Sequence, residues 1–453
     1  MKVIKNAKID DTELLYNIYY DEKIIKKIPS NKDKNTLKVA ESFDLNGMIL
    51  IPGAIDSHVH FNDPGFEEQE DFYTGTLSAA YGGVTTIIDM PCTSLPPVTN
   101  IENLNYKLER IKNKAVVDYA FWGGINGSEK IDEDLINRLK ELKKNGVTAF
   151  KIYTISGMPT YKALTYKQIE KLFKLTEGEN FIFGFHAEDS DIIENSIKNM
   201  SGDEKRTVSG YLKSRPVSAE VKAIEKITKL AMKYNAKIHI VHLSSKKGFE
   251  ALKKYENSSC ETCPHYLEFT NKDLHVLKGR LKTAPVVKEK EDKEFLRKAI
   301  LNGDIDFVTT DHAGTDFQKN KLFDDFSIVY NGIPGVQTML PYIFTSFYDK
   351  GILSLKRLIK ITSENTAKLY GLYPQKGSLE EGSDADFTVM EKKSFKFNEN
   401  TLKCKGKYSP FNGYEFKYRV NKTILRGDVI FEDGVERNIK KGKFLKPDTS
   451  KDV

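Results

Sequence analysis

The chain runs to 453 residues, 39% hydrophobic and 30% charged, enough for one large core plus a smaller accessory unit. Seventy lysines and arginines against 64 acidic residues leave a formal charge of +6. That charge is spread along the chain rather than clustered, which argues against a nucleic-acid or membrane-surface partner. Four cysteines in this length argue against a disulfide framework and suit a reducing cytoplasm.

Taken in chain order, residues 1–52 open on the alternating "MKVIKNAKI" and are punctuated by "DD", "SNKD" and "NG", which reads as short β-strands. The opening has no apolar core of signal-peptide length, and no stretch approaches a membrane span. Charged runs at 31–38 and 438–452 read as solvated turns and a tail.

From 53 to 376 the pattern changes. Apolar β-rich runs alternate with helical stretches, the signature of βα units around a parallel sheet. The predicted strands are 54–60, 84–90, 116–122, 147–153, 181–187, 237–243, 260–264 and 305–311, with helices between them such as 70–83 and 216–235. Eight such repeats point to an α/β fold, a (β/α)8 TIM barrel, whose chemistry sits at the C-terminal strand ends. Residues 377–445 return to short alternating segments, so both chain ends are expected to form one small β-sandwich domain, with a tail at 446–453.

The strand ends carry an unusual set of side chains. "SHVH" closes the first strand with His58 and His60, a pair spaced to share one face. Lys151 lies near the end of the fourth, His186 ends the fifth, His242 the sixth, and Asp311 with His312 the eighth. Five of only eight histidines fall on this face. Four imidazoles and a carboxylate suit zinc but exceed what one catalytic zinc with an open position takes, so two metals sharing the set fit better. An ammonium beside two dications would be repelled. A neutral Lys151 amine can instead take up carbon dioxide, and the resulting carbamate can bridge both metals. Cys260 and Cys263 form a C-x-x-C without a second pair, which reads as packing rather than as zinc or redox chemistry.

"DSHVHFNDPG", "GGVTTIIDMP", "FKIY", "FHAED", "VHLSS", "TCPHY" and "TTDHAG" follow one another in this order. The series resembles the cyclic amidohydrolase branch of the amidohydrolase superfamily, namely allantoinases, dihydroorotases and hydantoinases (dihydropyrimidinases). The likeness covers nearly the whole chain. It implies that His58, His60, carboxylated Lys151, His186, His242 and Asp311 bind two divalent metals, usually zinc. It also implies that Asp311 moves the proton between the attacking water and the departing ring nitrogen. Asn62 and Asn331 are the residues it places at the substrate, and His312, next to Asp311, either contacts the substrate or serves a structural role orienting Asp311. "HVHFNDPG", "VDYAFWGG", "SGYLKSRPVSAEVKAI" and "TILRGDVI" look most like allantoinases, which implies hydrolysis of (S)-allantoin to allantoate in purine catabolism.

Asn62 and Cys92 stand where dihydroorotases usually carry arginine and asparagine for a substrate carboxylate. Thr93, Ala284 and Lys288 depart from the usual allantoinase pattern, so a dihydroorotase, a hydantoinase-type cyclic amidase and a non-catalytic scaffold remain alternatives. The resemblance also leads one to expect a dimer or tetramer.

Overall fold

The computed structural model describes residues 1–34, 37–437 and 440–447. Parts of the charged runs at 31–38 and 438–452, and most of the expected tail, lie outside them. Runs rich in Val, Ile and Thr build a parallel eight-stranded sheet, in which such residues fill a surface buried on both faces. Its strands are β1 (Ala54–Val59), β2 (Val84–Asp89), β3 (Asp118–Gly124), β4 (Val147–Tyr153), β5 (Ile182–His186), β6 (Lys237–Ile240), β7 (Ser258–Thr262) and β8 (Phe307–Val308). Neighbours in sequence are neighbours in the sheet.

The first and last strands close on each other. The Thr310 hydroxyl donates to Asp56 at 2.5 Å, and Val59 bridges His312 in parallel. The expected strands are all present, but the sixth and eighth are shorter than the sequence suggests. After Ile240 and Val308 the chain leaves the ladder, and His242 and Asp311 adopt left-handed backbone with φ of 42° and 48°. His and Asp visit this region several-fold more readily than most residues. Both side chains are thereby aimed by strained turns beyond the strand ends.

The helix Val217–Tyr234 buries Ala219, Ala223, Ile227 and Ala231 on one stripe, the four-residue spacing of an amphipathic helix. It ends at Asn235 with φ of 49°, a left-handed cap. Pro216, the first residue of the expected 216–235 helix, stands one position earlier as the N-cap.

Inside the barrel Trp122 packs with Ile55, Ile88, Ala120 and Ala149, and its indole N–H donates to Ser57 O at 2.9 Å. Gly184 makes this possible, because a Cβ there would lie 2.3 Å from the Trp122 ring. Gly184→Ala is therefore expected to lose about 1–3 kcal/mol by overpacking, read as a lower urea midpoint with an unchanged slope.

Two further sheets lie outside the barrel. One has four strands from residues 2–44. The other pairs Ile49–Pro52 with Phe387–Lys396 and continues through Glu415–Leu425, Asp428–Glu432 and Val435–Glu436. They share an apolar cluster that includes Ile4, Ile18, Leu50, Phe387 and Ile424, so both chain ends build one sandwich. Residues 442–445 instead run along the start of β3, with Leu445 N–H donating to Tyr119 O at 2.8 Å. No helix among the described residues is long and apolar enough to cross a membrane.

Candidate metal centre

The C-terminal strand ends converge on a cavity of about 420 Å³. His58, His60, His186, His242 and Asp311 line it, together with Thr93, Tyr153, Ser156, Arg215, Ala284 and the segment 327–332. At its base the ligand atoms of His58, His242 and Asp311 all lie within 4.8 Å of one another. Asp311 Oδ1 is 3.1 Å from His58 Nε2 and 3.2 Å from His60 Nε2, and His186 Nδ1 is 3.0 Å from His242 Nε2. Lys151 shares the inward parity of Ala149 on β4 and is fully buried. Its Nζ and His242 Nδ1 have no hydrogen-bond partner among the described residues. Leaving such groups unpaired costs on the order of 1–3 kcal/mol each, so two of them buried in one region call for an external partner.

The charge states agree with that reading. Burial pulls the Lys151 ammonium down to about 8, which leaves part of it as the free amine that carbamate formation needs. Burial, reinforced by the charges of His186 and Lys151, holds His242 well below the ordinary imidazole value, and burial also lowers His186. Neutral imidazole is the form that binds a metal. Burial opposes ionisation of Asp311, but His58, with the hydrogen bonds from His58 and His60, outweighs it and keeps the carboxyl well below its usual range. His60 runs the other way: burial opposes its charge, but Cys92 and Asp311 beside it raise it to about 10, so a cation binding there must displace that proton. Two neutral imidazoles on His186 and His242, an anionic carboxylate and an available amine fit divalent cations.

Two other clusters of possible ligands lack this character. Asp118, Asp384 and Asp386 are already occupied by the Lys376 ammonium at 2.6, 2.9 and 2.6 Å. In the Glu70–His312–Cys404 group, Glu70 accepts from the Lys405 N–H, and Cys404 Sγ donates to Gly406 O at 3.2 Å.

The residues expected at the substrate divide. Asn331 lines the cavity, its Oδ1 accepting from the Tyr211 hydroxyl at 2.9 Å. His312 and Asn62 do not line it. His312 is fully buried, its Nδ1 accepting from the N–H groups of Gly335 and Val336 and its Nε2 lying 3.5 Å from Glu70. It braces the turn that follows Asp311. Asn62 is buried at φ 45°. Cys260 and Cys263 are buried thiols that burial raises well above the ordinary cysteine value, as packing residues should be. Cys92 and Tyr153 meet beside the centre, Sγ to Oη 3.2 Å, with the Tyr153 ring stacked on His186.

Two carboxylates escaped the sequence reading. Glu261 on β7 lies 2.5 Å from His58 Nδ1 and 3.3 Å from His239 Nε2. It thereby fixes the His58 tautomer that points Nε2 at the centre. Glu188 receives Arg215, and His186 Nε2 at 3.0 Å. Burial works against its charge, yet Arg215 and His186 hold the carboxyl down to about 2 from 4.5. A depressed pKa adds stability that is present above the unfolded value and lost as pH falls through the folded one, here of order 3 kcal/mol. Glu188→Gln should therefore be less stable than the parent at pH 7. In urea unfolding across a pH series, that gap should narrow as pH falls below 4.5.

Residues 49–430 match the model of the amidohydrolase family. The chain is 34% identical to an allantoinase of Rubrobacter xylanophilus, covering 91% of this chain and 90% of that one. It is 35% identical to an allantoinase of Streptomyces avermitilis, covering 89% and 88%. Among solved structures, the L-hydantoinase (dihydropyrimidinase) of Arthrobacter aurescens superposes with a TM-score of 0.91 at 28% identity, over 98% of this chain and 99% of that one. The match runs from the last strand before the barrel into the small sheet and includes every donor at the centre. The chain belongs to the amidohydrolase family.

Proposed function

We propose that the protein is an allantoinase, an enzyme that hydrolyses a ring amide of (S)-allantoin to give allantoate. The observation that carries this reading is the convergence of His58, His60, His186, His242 and Asp311 on one cavity, with the buried, unpartnered Lys151 Nζ on β4, in a chain 34% identical to a relative named for that activity. The six side chains would hold two divalent cations, with zinc the metal that best suits their nitrogen and oxygen donors and Lys151 present as its carbamate. Bound there, the cations supply Lewis-acid polarisation of the ring carbonyl and lower the pKa of water to about 7.

The chain's own groups do the rest. Asp311, held anionic between His58 and His60, takes the proton from the attacking water and returns it to the ring nitrogen as the C–N bond breaks. Glu261 keeps the His58 ring in register. Thr93, Ser156 and Asn331 offer polar contacts on the wall. Arg215, the one lysine or arginine among the described lining residues, is already paired with Glu188. That leaves no free cation for a substrate carboxylate and disfavours dihydroorotate. A hydantoin ring is the second reading, favoured by the likeness to the Arthrobacter aurescens enzyme. The four buried free thiols suit a cytoplasmic enzyme, and a homo-oligomer, dimer or tetramer, belongs to the same proposal.

The test is ring opening measured on allantoin, dihydroorotate, hydantoin and dihydrouracil. Allantoin should be opened with a kcat/KM at least about 100-fold above the others. Preference for hydantoin or dihydroorotate would move the assignment within the family, and inertness toward all four would leave a scaffold.

A further inference from the structure

Lys282 and Lys321 are two buried lysines, 1% and 2% exposed, that the chemistry above does not use. Their hydrogen bonds go to main-chain carbonyls. Lys282 Nζ donates to Phe326 O at 2.6 Å and Val329 O at 2.5 Å, and reaches Ser327 O at 3.5 Å. Lys321 Nζ donates to Tyr330 O at 2.8 Å and to Lys282 O at 3.4 Å. The Tyr211 and Phe326 rings face Lys282 Nζ at 4.6 and 4.9 Å, and the Tyr408 ring faces Lys321 Nζ at 5.2 Å. A buried amino group is costly unless its N–H donors are satisfied. Here main-chain carbonyls accept from them, and the carbonyls all belong to one short stretch or to its support.

That stretch is the outer wall of the cavity. Residues 327–332 line it, and Ile328 does so while 62% exposed, so apolar burial alone does not hold the apex of the wall. Three further bonds tie its far end: Gly332 N–H to Lys282 O at 2.9 Å, Tyr211 Oη to Asn331 Oδ1 at 2.9 Å, and Tyr408 Oη to Gly332 O at 3.0 Å. Lys282 thus grips the wall twice, through its side chain and through its carbonyl.

We propose that Lys282, seconded by Lys321, is a positioning residue for substrate recognition. By drawing the carbonyls of 326, 327, 329 and 330 onto two buried amino groups, it sets how closely the wall meets the substituent carried by the substrate ring. The inference rests on the reading that this cavity receives a cyclic amide, and the wall acts on binding rather than on the bond being broken.

Lys282→Met keeps the length of the side chain and removes the donors. Kinetics on whichever cyclic amide the parent opens should show KM raised about ten-fold with kcat and metal content unchanged, because contacts made equally in ground and transition states move KM alone. Amide hydrogen exchange over 326–332 should accelerate at least about ten-fold, with exchange in the barrel strands unchanged. Lys321→Met should act in the same direction over 330–332, more weakly, and it carries the test if Lys282→Met does not fold. Unchanged KM and unchanged exchange, or a fall in kcat with loss of metal, would overturn the proposal. If the parent opens no cyclic amide, the functional reading fails, while the exchange comparison still decides whether the lysines hold the wall.

Discussion

Asp311→Asn should fold and retain metal but lose turnover by about 10³-fold, within the range for removing a general acid–base group. The backbone gives this variant its diagnostic value. Asp311 sits at φ 48°, and asparagine tolerates the left-handed region as aspartate does, so the turn that aims the side chain is undisturbed. An alanine at this position would add backbone strain and confuse the two effects. The asparagine amide still presents an oxygen to the centre but cannot carry the proton that the carboxylate carries. Metal analysis and ring-opening kinetics on the same preparation separate the roles. Turnover equal to the parent's would show that Asp311 moves no proton.

Lys151→Ala should be the more severe loss, because it removes the group proposed to supply, as its carbamate, negative charge between the two cations. With Asp311 alone at the centre, two divalent cations keep most of their mutual repulsion, so the variant should hold fewer than two metals per chain. Its activity should fall by ~10³-fold or more, since the attacking water is no longer activated. Lys151 is fully buried on β4, so truncation leaves a cavity that a short carboxylic acid can enter. Added propionate should restore part of both metal content and activity in a concentration-dependent way. Full metal occupancy in the alanine variant without any added acid would rule out the carbamate bridge.

The barrel was legible because its strands are continuous apolar β-branched runs such as "VTTIID", and because the chemistry-bearing residues stand at their ends. The paired histidines of "SHVH" and a lysine inside "TAFKIY" broke the expected pattern of a buried strand, and that break is a sequence-level signal. The lengths of β6 and β8 were not legible. An apolar run does not reveal that the chain leaves the ladder after Ile240 and Val308 to enter left-handed turns. Glu261 escaped notice because a single carboxylate in "CETCP" reads as an exposed charge. Only the fold sets it 2.5 Å from His58, a residue 203 positions away. Glu188 is similar, since its meaning depends on Arg215 arriving from another segment. His312, adjacent to Asp311, reads as either a substrate contact or a structural support. The N–H groups of Gly335 and Val336 hold its ring, a contact that no local pattern encodes. Nothing in the sequence marks Lys282 or Lys321 as buried; their burial follows from packing beneath the 326–332 segment.

The central claim is that six side chains assemble a centre that works only with two cations. It is tested most directly by stripping the purified protein with a chelator and titrating zinc back while following allantoin ring opening. Activity should be absent from the stripped protein and rise with added zinc until it saturates at two equivalents per chain. Saturation at one equivalent, or full activity in the stripped protein, would contradict the two-metal account.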